Sequence, residues 1–195
     1  MADNCAVVGD YRDLGSQTQA FVDTETNGSW NIASEVAAGL NAGGDATAVT
    51  VSCAKPGNCT VGGVFQDNSN RHQPFVLTQT HGSWGKAALL PGLASLNQSG
   101  DASVSAISCR SVGNCSIGGS YRDKAGAVRA FVATEKNGTW TKAIAVPGLA
   151  ALTANSGIKD SAILALSCAS AGHCAAGGSY HDRRNHAQAF VVSEG

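Results

Sequence analysis

An all-β repeat fold is predicted, with propeller-type blades of four antiparallel strands, and three observations predict it. First, one pattern is written four times: CAVVGDYRD from Cys5, CTVGGVFQD from Cys59, CSIGGSYRD from Cys115 and CAAGGSYHD from Cys174. Second, each copy runs into an apolar segment, QAFVDTE, QPFVLTQ, RAFVATE or QAFVVSE, and the marker residues Phe21, Phe75, Phe131 and Phe190 stand 54, 56 and 59 residues apart. Self-similarity at that period marks a repeat architecture. Third, the chain holds 24 glycines and only 14% charged residues, against roughly 25% in an average domain. That balance suits short strands and tight turns.

The elements follow in order within each repeat. The first strand is the glycine-rich one, CSIGGSY in the third copy; its small side chains fit where backbones crowd, which places it near a central axis. An aromatic-x-Asp step then enters a polar loop. The second strand is the phenylalanine segment, ended by Asn27-Gly28, His81-Gly82 or Asn137-Gly138. Asn-Gly between strand-like runs is a strong hairpin signal. The third strand opens on Trp30, Trp84 or Trp140 and stops at a Pro/Gly step. A loop of variable length follows, with room for at most one helical turn at GLASLNQSG and GLAALTANSG. The fourth strand, ATAVTVSC, ASVSAISC or SAILALSC, alternates with period two and ends at a cysteine.

About 3.5 repeats of roughly 56 residues result, over 5–58, 59–114, 115–173 and a partial 174–195, in a single domain. The spare first-and-second-strand pairs at the two ends are of the same type, so they do not add up to a whole blade. A fragment of a larger propeller, a homo-oligomeric ring with strand exchange, or a trefoil-like or prism-like threefold β fold would each resolve the phase.

Six cysteines form three C-x5-C pairs around turn signals: Cys53 with Cys59, Cys109 with Cys115, and Cys168 with Cys174. A strand, a turn and a strand bring such residues side by side, so one disulfide per repeat is expected. Zinc is disfavoured, because the spacing exceeds the usual C-x2-4-C and no His pair follows. Disulfides imply an oxidising compartment. The opening MADNC has neither the basic nor the apolar region of a signal peptide, so a secreted, extracellular protein cut from a precursor is expected. The net charge of −1 gives no basic footprint for nucleic acid, and no apolar run approaches a membrane span.

The combination of SC-x5-C-x-x-GG-x-Y-x-D, QAFV-x-TE-x-NG-x-W and a PG-L step resembles the cysteine-paired propeller repeats of secreted actinobacterial proteins. This resemblance implies surface or carbohydrate binding. Thr134 to Trp140 (TEKNGTW) also resembles the Asp-box hairpin of sialidase-like propellers, one residue shorter and without its aspartate. The strand ending in Glu ahead of a G-x-W strand is similar to small fucose-binding lectins whose short chains form one propeller together.

Several residues able to carry chemistry recur from copy to copy. Asp13, Asp67, Asp123 and Asp182 lie eight residues after the second cysteine, and Asp45, Asp101 and Asp160 eight before the first. Turn capping is the expected role of both sets; nothing matches a calcium loop, so no metal and no cofactor are expected. Trp30, Trp84 and Trp140 suit either packing between blades or stacking on a sugar face. Glu25, Gln79 and Glu135, five residues earlier, suit hydrogen bonds to sugar hydroxyls, and Arg12 and Arg122 could add bidentate donors; Gln66 and His181 replace them elsewhere. The five histidines do not recur at one repeat position, and no G-x-S-x-G elbow exists. The basic loop His181 to His186 reads as a solvated hairpin tip. The expectation is therefore a non-catalytic, lectin-like module whose partner is a glycan or surface polysaccharide. The alternative is a protein-interaction scaffold, and a glycan-cleaving enzyme is the least favoured.

Overall fold

A computed structural model describes residues 4–194; Met1 to Asp3, in the stretch read for a signal peptide, and Gly195, in the last partial repeat, lie outside the described residues. The chain is all-β, in four consecutive antiparallel sheets. The first sheet holds β1 (Ala6–Arg12), β2 (Thr18–Thr26), β3 (Ser29–Trp30) and β4 (Ser34–Val36). The second holds β5 (Ala46–Lys55), β6 (Asn58–Gln66), β7 (His72–Thr80), β8 (Ser83–Trp84) and β9 (Ala88–Leu89). After the one-turn helix α1 (Leu93–Leu96), the third repeats that plan with β10 (Ala102–Ser111), β11 (Asn114–Arg122), β12 (Val128–Lys136), β13 (Thr139–Trp140) and β14 (Ile144–Ala145). A second short helix, α2 (Leu149–Thr153), leads to the fourth sheet of β15 (Ser161–Ser170), β16 (His173–His181) and β17 (Ala187–Ser193).

Three details differ from the sequence expectation. In the second, third and fourth sheets the unit starts at the strand before the first cysteine, so Cys53 opposes Cys59 across the β5–β6 hairpin, with Cα atoms 3.9 Å apart. Cys109–Cys115 and Cys168–Cys174 are bonded in the same way, so all three expected disulfides are present. The edge of each of these sheets is therefore β5, β10 or β15, and these strands pack against one another in succession. The glycine-rich strand lies one place in, not at the edge. Its glycines answer to the neighbouring sheet: a Cβ on Gly62 would stand 2.8 Å from Ile117, and one on Gly118 2.9 Å from Ile163. The tryptophan strand is also broken in two, because β8 and β9 both pair with β7 around a short detour at Gly85 to Ala87. Finally, neither end is a spare half-blade: the first sheet has its own outer strands and the fourth its own edge strand.

The core lies between sheets. Ala20 and Val22 of the first sheet meet Val61, Phe75 and Leu77 of the second. Val76 of the second meets Val104, Ile117 and Phe131 of the third. Ala130 and Val146 of the third meet Ile163 and Ala176 of the fourth. Because side chains alternate along a strand, Phe75 and Leu77 point to the sheet before while Val76 points to the sheet after. A segment such as PFVL is thus buried on both sides, which explains an apolar run where a half-buried strand would alternate.

The aspartates after the second cysteine behave as expected. Asp13 Oδ1 accepts the backbone N–H of Gly15 and Gln17, and Asp67, Asp123 and Asp182 repeat the same two bonds at the same offsets. Burial alone would raise the Asp123 carboxyl, but donation from Arg129, Ala127 and Ala125 outweighs it and holds it below the ordinary aspartate value. The other set does different work. The Asp101 carboxylate pairs with Arg122 at 3.2 Å and with His72 at 3.7 Å, and His72 also faces Asp45 at 3.7 Å. Rather than capping a turn, the Asp101 carboxylate links the third sheet to His72 of the second.

Candidate functional site

Each tryptophan is the cross-strand neighbour of the acid or amide five residues before it. Glu25 pairs with Trp30, Gln79 with Trp84 and Glu135 with Trp140. This follows from the tight turn at Asn27-Gly28 and its counterparts, where both residues take positive φ. The three pairs have different surroundings. Gln79 is 1% exposed and Glu135 is buried as well, whereas Glu25 is half-buried and Trp30 is 51% exposed. Trp84 and Trp140 are partly buried and pack against the inter-sheet cores.

At the junction of the first and second sheets this arrangement encloses a cleft of about 440 Å³. The Cys53–Cys59 bridge and the turn at Pro56-Gly57 form one wall, and β2 forms the other. Glu25, Gln79 and Trp84 line it, together with Asp23, Asn31 and His81. Thr24 organises the wall. Its hydroxyl accepts the Trp84 indole N–H at 3.3 Å and the Gln79 amide at 3.2 Å. Gln79 donates to the Gly82 carbonyl as well, and Asn31 Nδ2 donates to the Thr24 carbonyl at 2.7 Å. The buried amide is thus spent on holding the two sheets together. Asn31 and His81 remain as polar groups inside the cleft, with Asp23 and Glu25 at its rim, on the alternate face of β2 from Thr24.

Arg12 and Arg122 do not join this set. Arg12 opposes Thr18, at the far end of β2 from Glu25. Seven residues of strand put them roughly 23 Å apart. Arg122 donates to Asp101 and to the Gly126 carbonyl. Thr24, Asn31, Asp23 and His81 were missed in the sequence. Only Thr24 left a signal there, as the Thr/Ser that precedes the Glu/Gln in every copy.

Between the third and fourth sheets a second groove of about 380 Å³ runs along Val132, Thr134, Ile144 and Pro147 on one side and Ala176 and Val192 on the other. It is the counterpart of the place that Trp140 fills one junction earlier and Trp84 two junctions earlier. Thr134 donates there to Glu194, as Thr24 is engaged by Gln79.

Glu135 is the ionisable member of the buried set. Burial pushes its carboxyl above the ordinary value of 4.5, and Oε2 has no hydrogen-bond partner. Gln79 Oε1, its counterpart in the second sheet, is likewise without a partner. A raised carboxyl contributes stability that is full below the unfolded value and lost as the pH rises through the folded one. Glu135→Gln, which installs the residue of the second sheet, removes that loss and restores a donor. We expect the variant to match the parent near pH 4 and to be more stable at pH 7 by about 0.5–1.5 kcal/mol, the net worth of a hydrogen bond. Urea unfolding across pH 4–8 measures it; an unchanged pH profile would contradict the assignment.

No protein-family model matches the chain, and no curated protein matches it. Among the described residues no group of three or more His, Cys, Asp or Glu side chains is placed to hold a metal ion, and no helix is long and apolar enough to cross a membrane.

Proposed function

We propose that the four stacked sheets are blades of a β-propeller and that the chain is a secreted, non-catalytic carbohydrate-binding module. The cleft between the first two sheets carries the reading. It combines one indole with two carboxylates, an amide and an imidazole, in a space of about 440 Å³, the scale of a small-ligand site. An aromatic face with planar hydrogen-bonding groups around it suits a pyranose, whose ring has an apolar side and a rim of hydroxyls. Three disulfides in 195 residues agree with an oxidising, extracellular setting.

The test uses saturation-transfer NMR with a panel of oligosaccharides, followed by titration of the best binder. Glu25→Ala and Asn31→Ala are each expected to weaken binding about tenfold, the effect of one hydrogen bond to a charged or well-placed group. Arg12→Ala, at the other end of the sheet, leaves it unchanged. If no saccharide transfers saturation at millimolar concentration, or if Arg12→Ala weakens binding as much as Asn31→Ala, the cleft is not the site.

A further inference from the structure

The first and fourth sheets each keep one face that no other part of the described residues covers. We propose that these two faces dock on each other between two copies of the chain, the fourth sheet of each stacking on the first sheet of the other, so that two chains close a ring of eight sheets.

The three internal junctions show what each bare face is built to meet. At every junction the residue after the marker phenylalanine points forward, onto the next sheet. Val76 enters the core with the third sheet, and Val132 packs against the core shared with the fourth. Val191 holds that position in the fourth sheet and is 77% exposed. In the second, third and fourth sheets the glycine three residues after the second cysteine is the matching hollow. Ile117 fills the one at Gly62, and Ile163 the one at Gly118. At Gly177 nothing comes closer than 3.8 Å.

The first sheet supplies the missing knobs. Val7 takes the place that Val61 and Ile117 take in their sheets, and it is 41% exposed. Tyr11 stands where Phe65 and Tyr121 are buried, and it is exposed too. Trp30 holds the place of Trp84, whose indole donates to Thr24 of the sheet before; on the fourth sheet the corresponding hydroxyl belongs to Ser193. Val7 therefore falls on Gly177 by the geometry that sets Ile117 of the third sheet on Gly62 of the second, and Trp30 falls on Ser193 by the geometry that sets Trp84 of the second sheet on Thr24 of the first.

One residue departs from the pattern. Asp23 stands where the other sheets carry Leu77, Ala133 and Val192, and it would face Val191. A carboxylate against an apolar side chain costs free energy, so this junction is weaker than the internal ones and opens reversibly. A head-to-tail contact either closes or propagates into a filament. Two copies give eight sheets, within the range at which radially stacked four-stranded sheets are known to close.

Sedimentation velocity on the full, oxidised chain tests this, with Cys5→Ser as background so that no disulfide links the copies. The expected result is a concentration-dependent species of two chains. Val191→Glu and Val7→Glu, both at exposed positions, each return a single chain with an unchanged circular dichroism spectrum. Mixing those two variants regenerates a two-chain species, because one of its two junctions is then unaltered on both sides. Asp23→Leu tightens the association at least tenfold. A single-chain mass for both the parent and Asp23→Leu at millimolar concentration would overturn the proposal. So would a two-chain species indifferent to Val191→Glu, or variants that stay monomeric when mixed.

Discussion

Reduction of the three disulfides is expected to remove about 6 kcal/mol of stability, since each closes a loop of only about six residues and contributes roughly 2 kcal/mol. A domain of this kind has a total of about 5–15 kcal/mol to lose. The reduced chain should therefore lie near its unfolding midpoint at 37 °C, while the oxidised one stays folded. The bridges are distributed, one each in the second, third and fourth sheets. Replacing a single pair, Cys109→Ser with Cys115→Ser, should cost about a third of the whole effect. Thermal unfolding with and without a phosphine reductant gives both numbers. An unshifted midpoint on full reduction would mean that the cross-strand cysteine pairs lend the fold no stability.

Phe131→Ala is the second large effect, with an expected cost of about 3–5 kcal/mol. The ring is 0% exposed and fills the core between the second and third sheets with Val76, Val104 and Ile117. Its removal leaves a cavity that cannot collapse, because the sheets on both sides are pinned to further sheets. Phe75, with the same burial, should behave alike. Phe21 and Phe190 belong to the two outer sheets and are only partly buried, so their truncation should cost clearly less. Equilibrium denaturation of the four alanine variants would show this ranking; equal costs at all four positions would contradict the placement of the core between sheets.

Much of the fold is legible in the sequence because the same physics is written out several times. The cysteine pairs, the Asn-Gly turns and the aspartate loops each use local chemistry, and local chemistry repeats with the sequence. What stayed hidden depends on the neighbouring sheet. The glycines at 62 and 118 read as a crowded axis, but the crowding comes from Ile117 and Ile163 one repeat later. The phase was misread because the most similar motif begins at the second cysteine, while the covalent bridge places both cysteines in one hairpin. At the cleft, Trp84, Gln79 and Glu25 were visible as recurring types. Their different burial was not, because it is set by whether a preceding sheet exists to cover them. Arg122 looked available only because Asp101 is twenty-one residues away along the chain.

Each core is shared by two consecutive sheets and by no third. Cohesion of this kind is counted per boundary, like the bonds of a linear chain of magnets, and hardly depends on how many units there are. Duplicating or deleting one whole unit would change the number of boundaries without redesigning any of them. Loop length between units can vary without touching a boundary, and much of the 54-to-59-residue drift falls in those loops.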